Sequence, residues 1–134
     1  MLQVYTGTGK GKTTAALGVA FRGAGYGLKT TMFSFLKDDP NYGEARAAGV
    51  LPGFVLRQVG RDEFVNFYDP DPIDLQMVRD GWELAKLAIA NREADIIILD
   101  ELNIVLATNM LPTEEVAEFL AEHKNDVEII LTGR

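Results

Sequence analysis

Thr6-Gly7-Thr8-Gly9-Lys10-Gly11-Lys12-Thr13-Thr14 is the stretch that decides the fold. The apolar run Leu2 to Tyr5 leads into it. Behind it, Thr13 to Ala24 reads as a helix whose small residues Ala15, Ala16, Gly18 and Ala20 permit close approach to a sheet. Strand, glycine-rich turn and helix form the context in which a phosphate-binding loop is believed. Glycines let the backbone curl so that several N–H groups converge on one anion, and the helix adds its positive N-terminal end. The backbone of Gly7, Thr8, Gly9, Lys10, Gly11 and Thr14 is therefore the expected cradle for the phosphates of ATP. Lys12 would neutralise phosphate charge, and Thr13 would put its hydroxyl on magnesium. The common spacing G-x-x-x-x-G-K-[ST] would need glycine where Thr6 stands, so the loop is a variant. A glycine-rich turn capping an ordinary helix is the competing reading, and Gly-x-Gly-x-Gly-Lys-Thr directly after a strand weighs against it.

Outward from the loop, short apolar runs alternate with stretches of helical period, which predicts an α/β fold with a mostly parallel central sheet and helices on its faces. The expected strands are Leu2 to Tyr5, Thr30 to Phe35, Phe54 to Gln58, Asp95 to Leu99 and Val127 to Leu131. Ile96-Ile97-Ile98-Leu99 is apolar without alternation, which predicts a strand buried on both faces. Pro72 to Asn91 reads as the longest helix, with Leu75, Val78, Trp82, Ala85 and Ile89 on one buried stripe and Trp82 as a core anchor. Thr113 to His123 reads as a further helix opened by Pro112, with His123 at its surface end. Gly60 to Asp74 reads as a loop carrying Phe64, Phe67 and Tyr68.

Two further segments carry candidate chemistry. The buried strand ends in Asp100-Glu101, two carboxylates that would point opposite ways if extended, one toward a metal ion and the other toward water, metal or a neighbour. Taken alone, Asp-Glu after a strand is commonly a solvated helix cap; beside a phosphate loop the metal reading prevails. Leu131-Thr132-Gly133-Arg134 projects an arginine toward the same carboxyl edge of the sheet. Arg134 reads equally as a phosphate ligand or as a solvated side chain. Lys37 and Gly43-Glu44 are weaker signals, Lys37 drawing notice only from its place at a strand's end.

Composition bounds the class. The chain has 134 residues, enough for one compact domain, and 47% hydrophobic with 25% charged residues is the balance of a folded protein. A formal charge of -7 disfavours nucleic acid and anionic membrane surfaces as partners. The lack of cysteine rules out disulfides, thiolate metal sites and a cysteine nucleophile. No window approaches the roughly 18 apolar residues of a membrane span, and the start runs straight into the glycine motif rather than a signal peptide, so the expectation is a cytoplasmic protein.

The run Thr6-Gly7-Thr8-Gly9-Lys10-Gly11-Lys12-Thr13-Thr14-Ala15-Ala16-Leu17-Gly18 closely resembles the phosphate loop of the P-loop class of ATP:corrinoid adenosyltransferases, variant spacing included. The similarity continues through Phe35-Leu36-Lys37, Gly43-Glu44, Trp82, Leu99-Asp100-Glu101-Leu102-Asn103, Leu111-Pro112 and Leu131-Thr132-Gly133-Arg134, and so spans essentially the whole chain. The resemblance implies a three-layer, RecA-like P-loop fold and transfer of the 5′-deoxyadenosyl group of ATP to the Co(I) of a reduced corrinoid, with release of triphosphate. It further implies a homodimer and an electron-donating reductase or flavodoxin-like partner. In its terms the Gly7 to Thr14 backbone, Lys12 and Arg134 hold the triphosphate, Thr13 and Glu101 serve magnesium with Asp100 beside them, and Arg22 matches an arginine near the nucleotide.

Two departures stand out. The family continues beyond its Thr-Gly-Arg motif, so a further C-terminal segment is expected of it that this sequence does not contain. Where the family shows Gly-Thr-Gly-Phe-Thr-Trp before the long helix, this chain has Gly60-Arg61-Asp62-Glu63-Phe64-Val65, leaving Phe64, Phe67 or Tyr68 to take the corrinoid-side role. The alternatives are another P-loop ATPase or phosphotransferase, in which Glu101 activates water or an acceptor hydroxyl, and a nucleotide-binding module without turnover.

Overall fold

The computed structural model describes residues 1–134. Five strands form one sheet: β1 (Leu2–Tyr5), β2 (Thr30–Phe35), β3 (Phe54–Val59), β4 (Ile96–Asp100) and β5 (Glu128–Thr132). Every pairing is parallel and the spatial order is β1-β5-β4-β2-β3. The helices are α1 (Lys12–Gly25), α2 (Gly43–Ala47), α3 (Pro72–Ala90), α4 (Leu102–Ala107) and α5 (Thr113–His123).

Handedness explains the layers. Crossovers between parallel strands are right-handed, so connections that run one way along the sheet put their helices on one face and returning connections put theirs on the other. The β1 to β2 and β2 to β3 crossovers run one way and carry α1 and α2; those from β3 to β4 and β4 to β5 run back and carry α3, α4 and α5. The core divides accordingly. Met32, Ile96, Ile98 and Ile130 pack against Ala16 and Ala20 of α1. Their strand neighbours Phe33, Phe35, Ile97, Leu99, Ile129 and Leu131 pack against α3, α4 and α5. Alternate residues of a strand face opposite sides, and here both sides are covered, so all residues of β2 and β4 are buried. The three-layer α/β expectation therefore holds.

The long helix keeps its stripe with one correction. Val78, Trp82, Ala85 and Ile89 are buried, whereas Leu75 is 39% exposed and the first turn of α3 buries Asp74 in its place. Full burial of Trp82 is worth roughly 2 to 3 kcal/mol in area terms. Gly81 shows how closely α3 lies on the sheet: a Cβ there would meet Val59 at 2.8 Å. His123 is half-buried rather than at the open surface, with its ring 4.3 Å from Phe119 and Nδ1 2.9 Å from Asp126.

The loop before α3 is held by a cluster not apparent from the sequence. Arg61 donates to both oxygens of Asp74 at 2.7 Å, to Asp71 at 2.8 Å and to Glu63 at 2.7 Å. The Arg61 hydrogen bonds hold the buried Asp74 carboxyl below its ordinary value, against the opposing effect of burial. A carboxyl depressed in the folded state contributes stability that is fully present above its unfolded value and is lost as pH falls through the folded one. The gap in melting temperature between the native chain and Asp74→Asn is therefore expected to be constant from pH 7 to about 5 and to shrink below about pH 4. Melting curves at pH 7 and pH 3 check this; an equal gap at both would contradict it.

Candidate functional site

β1 delivers the glycine loop to the carboxyl edge of the sheet, where open parallel sheets bind their ligands. Gly7 and Gly11 have φ of 139° and 107°, values that side chains rarely adopt, and Gly11 caps the N-terminus of α1. A Cβ at Gly7, Gly9 or Gly11 would meet nothing within 4 Å, so these positions border open space. Lys12 folds back over the loop, donating to the Gly9 carbonyl at 2.5 Å. Thr8, Lys10 and Thr14 are exposed on the same turn.

Beneath the loop lies a polar layer built by register. Ser34 pairs with Asp100 across β2 and β4, and Thr132 pairs with Tyr5 across β5 and β1. On the face covered by α1, Asp100 gathers donors: Thr13 Oγ1 at 2.7 Å and Thr132 Oγ1 at 2.6 Å on one oxygen, and Lys37 Nζ at 2.8 Å on the other. Thr132 Oγ1 in turn accepts the Glu101 N–H at 3.0 Å. Asn103 donates to the carbonyls of Tyr5 and Gly133, tying the ends of β1 and β5 together.

Two strained turns aim the side chains at this edge. Leu36 and Glu101, each just past the end of its strand, both have φ of 67°, a left-handed conformation that costs a non-glycine residue on the order of 1 kcal/mol. Asp100 and Glu101 are consequently not the two faces of an extended strand, as alternation would have them; the chain turns between them into α4. Lys37 is held just as firmly, because Gly60 passes so near that a Cβ on it would lie 2.5 Å from the Lys37 nitrogen.

The electrostatics follow from burial. Asp100 is fully buried and carries one ion pair, to Lys37. Burial alone would lower the Lys37 ammonium, but the charge and hydrogen bond of Asp100 more than offset it and hold the group above an ordinary lysine. Glu101 moves upward, first through burial and then through the charge of Asp100, with Lys37 and Lys12 drawing part of the shift back.

The donor set suits a small hard cation. The Thr13 hydroxyl spends its proton on Asp100 and keeps its lone pairs, and Asp100 and Glu101 supply carboxylates, the oxygen ligands magnesium prefers. The buried Ser34 hydroxyl beside Asp100 has no hydrogen-bond partner, leaving one polar atom in the layer for a metal-bound water. No cluster of three or more His, Cys, Asp or Glu ligands exists, so an ion here would complete its coordination with the Thr13 hydroxyl, phosphate oxygens and water.

The other sequence candidates are distributed unevenly. Arg134 is exposed at the end of β5, between the loop strand and β4, and so stands at the same edge. Arg22 does not: it lies in the last turn of α1, roughly 15 Å along the axis from Lys12, beside a cavity at the opposite end of the sheet with Asp95 and Glu128. Phe64 and Tyr68 are wholly exposed, whereas Phe67 packs against the core. Phe64 joins Leu36, Lys37, Tyr42 and Arg61 around a cavity of about 260 Å³. Thr132 and Lys37 are the residues that sequence reasoning underweighted, and their signal was a polar or charged residue at the end of an apolar strand.

The model of the family described as ATP:corrinoid adenosyltransferase BtuR/CobO/CobP matches residues 1–134. An uncharacterized protein of Nostoc sp. is 38% identical over 99% of this chain, which spans 38% of that protein. The corrinoid adenosyltransferase of Escherichia coli is 37% identical over 98% of the chain, and that of Salmonella typhimurium 34% identical over 98%. The chain spans 66% of each of these two enzymes.

Proposed function

The chain belongs to the ATP:corrinoid adenosyltransferase family, and from that membership we propose that it transfers the 5′-deoxyadenosyl group of ATP to the Co(I) of a reduced corrinoid, releasing triphosphate. The observation that carries the reading is the concentration of the site's devices on the triphosphate: a backbone cradle, Lys12, and Thr13 oriented by Asp100. Leaving-group stabilisation of this kind is what displacement at C5′ requires. Co(I) is itself a strong nucleophile, so the chain need supply no base.

Within this reading the Gly7 to Thr14 backbone and Lys12 bind the triphosphate, with Arg134 reaching its terminal end from β5. Magnesium, held by Thr13 and Glu101 with Asp100 behind them, would offset charge on the departing oxygens. Asp100 keeps the Thr13 hydroxyl turned outward. Arg22, remote from the loop of its own chain, would approach a nucleotide only through a second protomer, in keeping with a homodimer. Phe64 and Tyr68 would cover the corrin face and exclude water, while Phe67 anchors their loop. A reductase or flavodoxin-like donor would keep cobalt reduced. No helix is long and apolar enough to cross a membrane, and a cytoplasmic site of action is in keeping with that.

Anaerobic mixing with ATP, magnesium and chemically reduced cobalamin tests the proposal. The expected result is an ATP-dependent change of the corrinoid spectrum to that of the light-sensitive adenosyl form. A spectrum unchanged by ATP while ADP or orthophosphate accumulates would favour a phosphotransferase, and bound ATP with no product a module without turnover.

A further inference from the structure

We propose that the cavity between the β2–α2 loop and the loop before α3 receives peripheral side arms of the corrinoid and selects amide arms over carboxylate ones. The inference rests on the adenosyl-transfer reading, because it takes the corrin ring to lie against Phe64.

Position comes first. The cavity lies at the carboxyl edge of the sheet, where the chain leaves β2 toward the face carrying α2 and leaves β3 toward the face carrying α3. Neighbouring strands whose connections part to opposite faces leave the crevice in which open parallel sheets bind ligands. At about 260 Å³ the cavity is smaller than whole-ligand pockets, which run from roughly 300 to 1,000 Å³, so it takes a side arm and not a macrocycle. Phe64 lines it while remaining 92% exposed, so a ring covered by Phe64 hangs its arms beside the cavity.

The walls are fixed before any ligand arrives. Gln58 of β3 donates to the Asp39 carbonyl at 3.0 Å, and the Leu36 N–H donates to the Val59 carbonyl at 3.2 Å. These bonds tie the loop after β2 to the strand that feeds the other wall. Arg61 holds that second wall through Glu63, Asp71 and Asp74. A preformed cavity loses little conformational freedom on binding.

Charge decides which arm fits. Asp38, Asp39, Asp62 and Glu63 line the cavity against two cations, Lys37 and Arg61. Both cations are already engaged, Lys37 by the buried Asp100 and Arg61 by its three carboxylates. Asp38 and Asp62 are exposed and carry no ion pair. The lining is therefore net negative. A carboxylate arm meets like charge there, whereas an amide arm offers N–H donors to Asp38 or Asp62 and a carbonyl to the protons that Lys37 does not give to Asp100. The formal charge of -7 biases approach in the same direction.

Equilibrium dialysis of Co(II) corrinoids against the 134-residue chain, saturated with ATP and magnesium at pH 7 and low salt, gives the test. The probes are cobinamide, whose peripheral arms are amides, and cobyrinic acid, whose arms are free carboxyls. Cobinamide is expected to bind about tenfold or more tightly, and the gap should narrow as salt is raised. Asp38→Asn with Asp62→Asn, at two exposed positions where folding is little affected, is expected to bring the two corrinoids within a few-fold of each other, chiefly by strengthening cobyrinic acid. Equal binding by the native chain, or a gap that the double variant leaves intact, would overturn the proposal.

Adenosylation of the two corrinoids in their Co(I) forms separates this inference from the reading beneath it. Equal kcat/KM for both would overturn the selection of arms and leave adenosyl transfer standing. Adenosylation of neither would overturn both.

Discussion

Lys12→Ala is expected to lower kcat/KM for ATP-dependent corrinoid adenosylation by about 10² to 10³, roughly 3 to 4 kcal/mol of lost leaving-group stabilisation. In the structure the ammonium donates to a neutral acceptor, the Gly9 carbonyl, and a phosphate oxygen is the stronger partner because it is ionised. The loss should fall on the catalytic step as well as on ATP affinity, since charge on the triphosphate grows as the C5′–O bond breaks. Folding should be untouched, because the loop bears little of the core. Steady-state rates and melting curves, measured together, check both halves. A variant within a few-fold of the native rate would place the triphosphate elsewhere.

The second large effect is on stability. Asp100→Ala is expected to cost about 3 kcal/mol or more, because it leaves the Lys37 ammonium without its counter-charge and frees the Thr13 and Thr132 hydroxyls. That is a large share of the roughly 5 to 15 kcal/mol by which domains are stable. Removing both charges of a buried pair can be nearly neutral, so Asp100→Ala with Lys37→Met should recover part of the loss. Urea midpoints for the single and double variants measure it. An Asp100→Ala midpoint equal to the native one would mean that the layer under the loop is not structural.

The five strands and the helices α1, α3 and α5 were legible as apolar runs and helical stripes, with ends displaced by a residue or two where hydrogen bonding outlasts hydrophobicity. β4 and β5 run on to Asp100 and Thr132, polar residues that a hydrophobic pattern leaves out. α2 and α4 escaped notice because five and six residues do not complete two turns, too few for a period to appear. Leu75 fits the α3 stripe by spacing yet is partly exposed, since the first turn buries Asp74, held by Arg61, in its place.

The loop, Thr13 and the Asp100-Glu101 pair were readable because their chemistry is local in sequence. Lys37 gave only a weak signal, because its pairing with Asp100 depends on β2 lying beside β4, and sheet order is a property of tertiary packing rather than of any window of residues. Thr132 joins the site through the same long-range register, and the turn at Glu101 replaced the alternation that an extended strand would have given. Arg61 illustrates the converse. Its neighbours Glu63, Asp71 and Asp74 are near in sequence, but a basic residue among acidic ones on a loop reads as solvated until the geometry shows three carboxylates gathered on one guanidinium.

The most direct test of adenosyl transfer uses ATP carrying an oxygen isotope label at the bridge between C5′ and the α-phosphorus, turned over anaerobically by the chain with magnesium and Co(I) cobalamin. Cleavage of the C5′–O bond predicts labelled inorganic triphosphate in amounts equal to the adenosylated corrinoid. Label retained on ADP or AMP, with unlabelled orthophosphate or pyrophosphate released, would contradict the account.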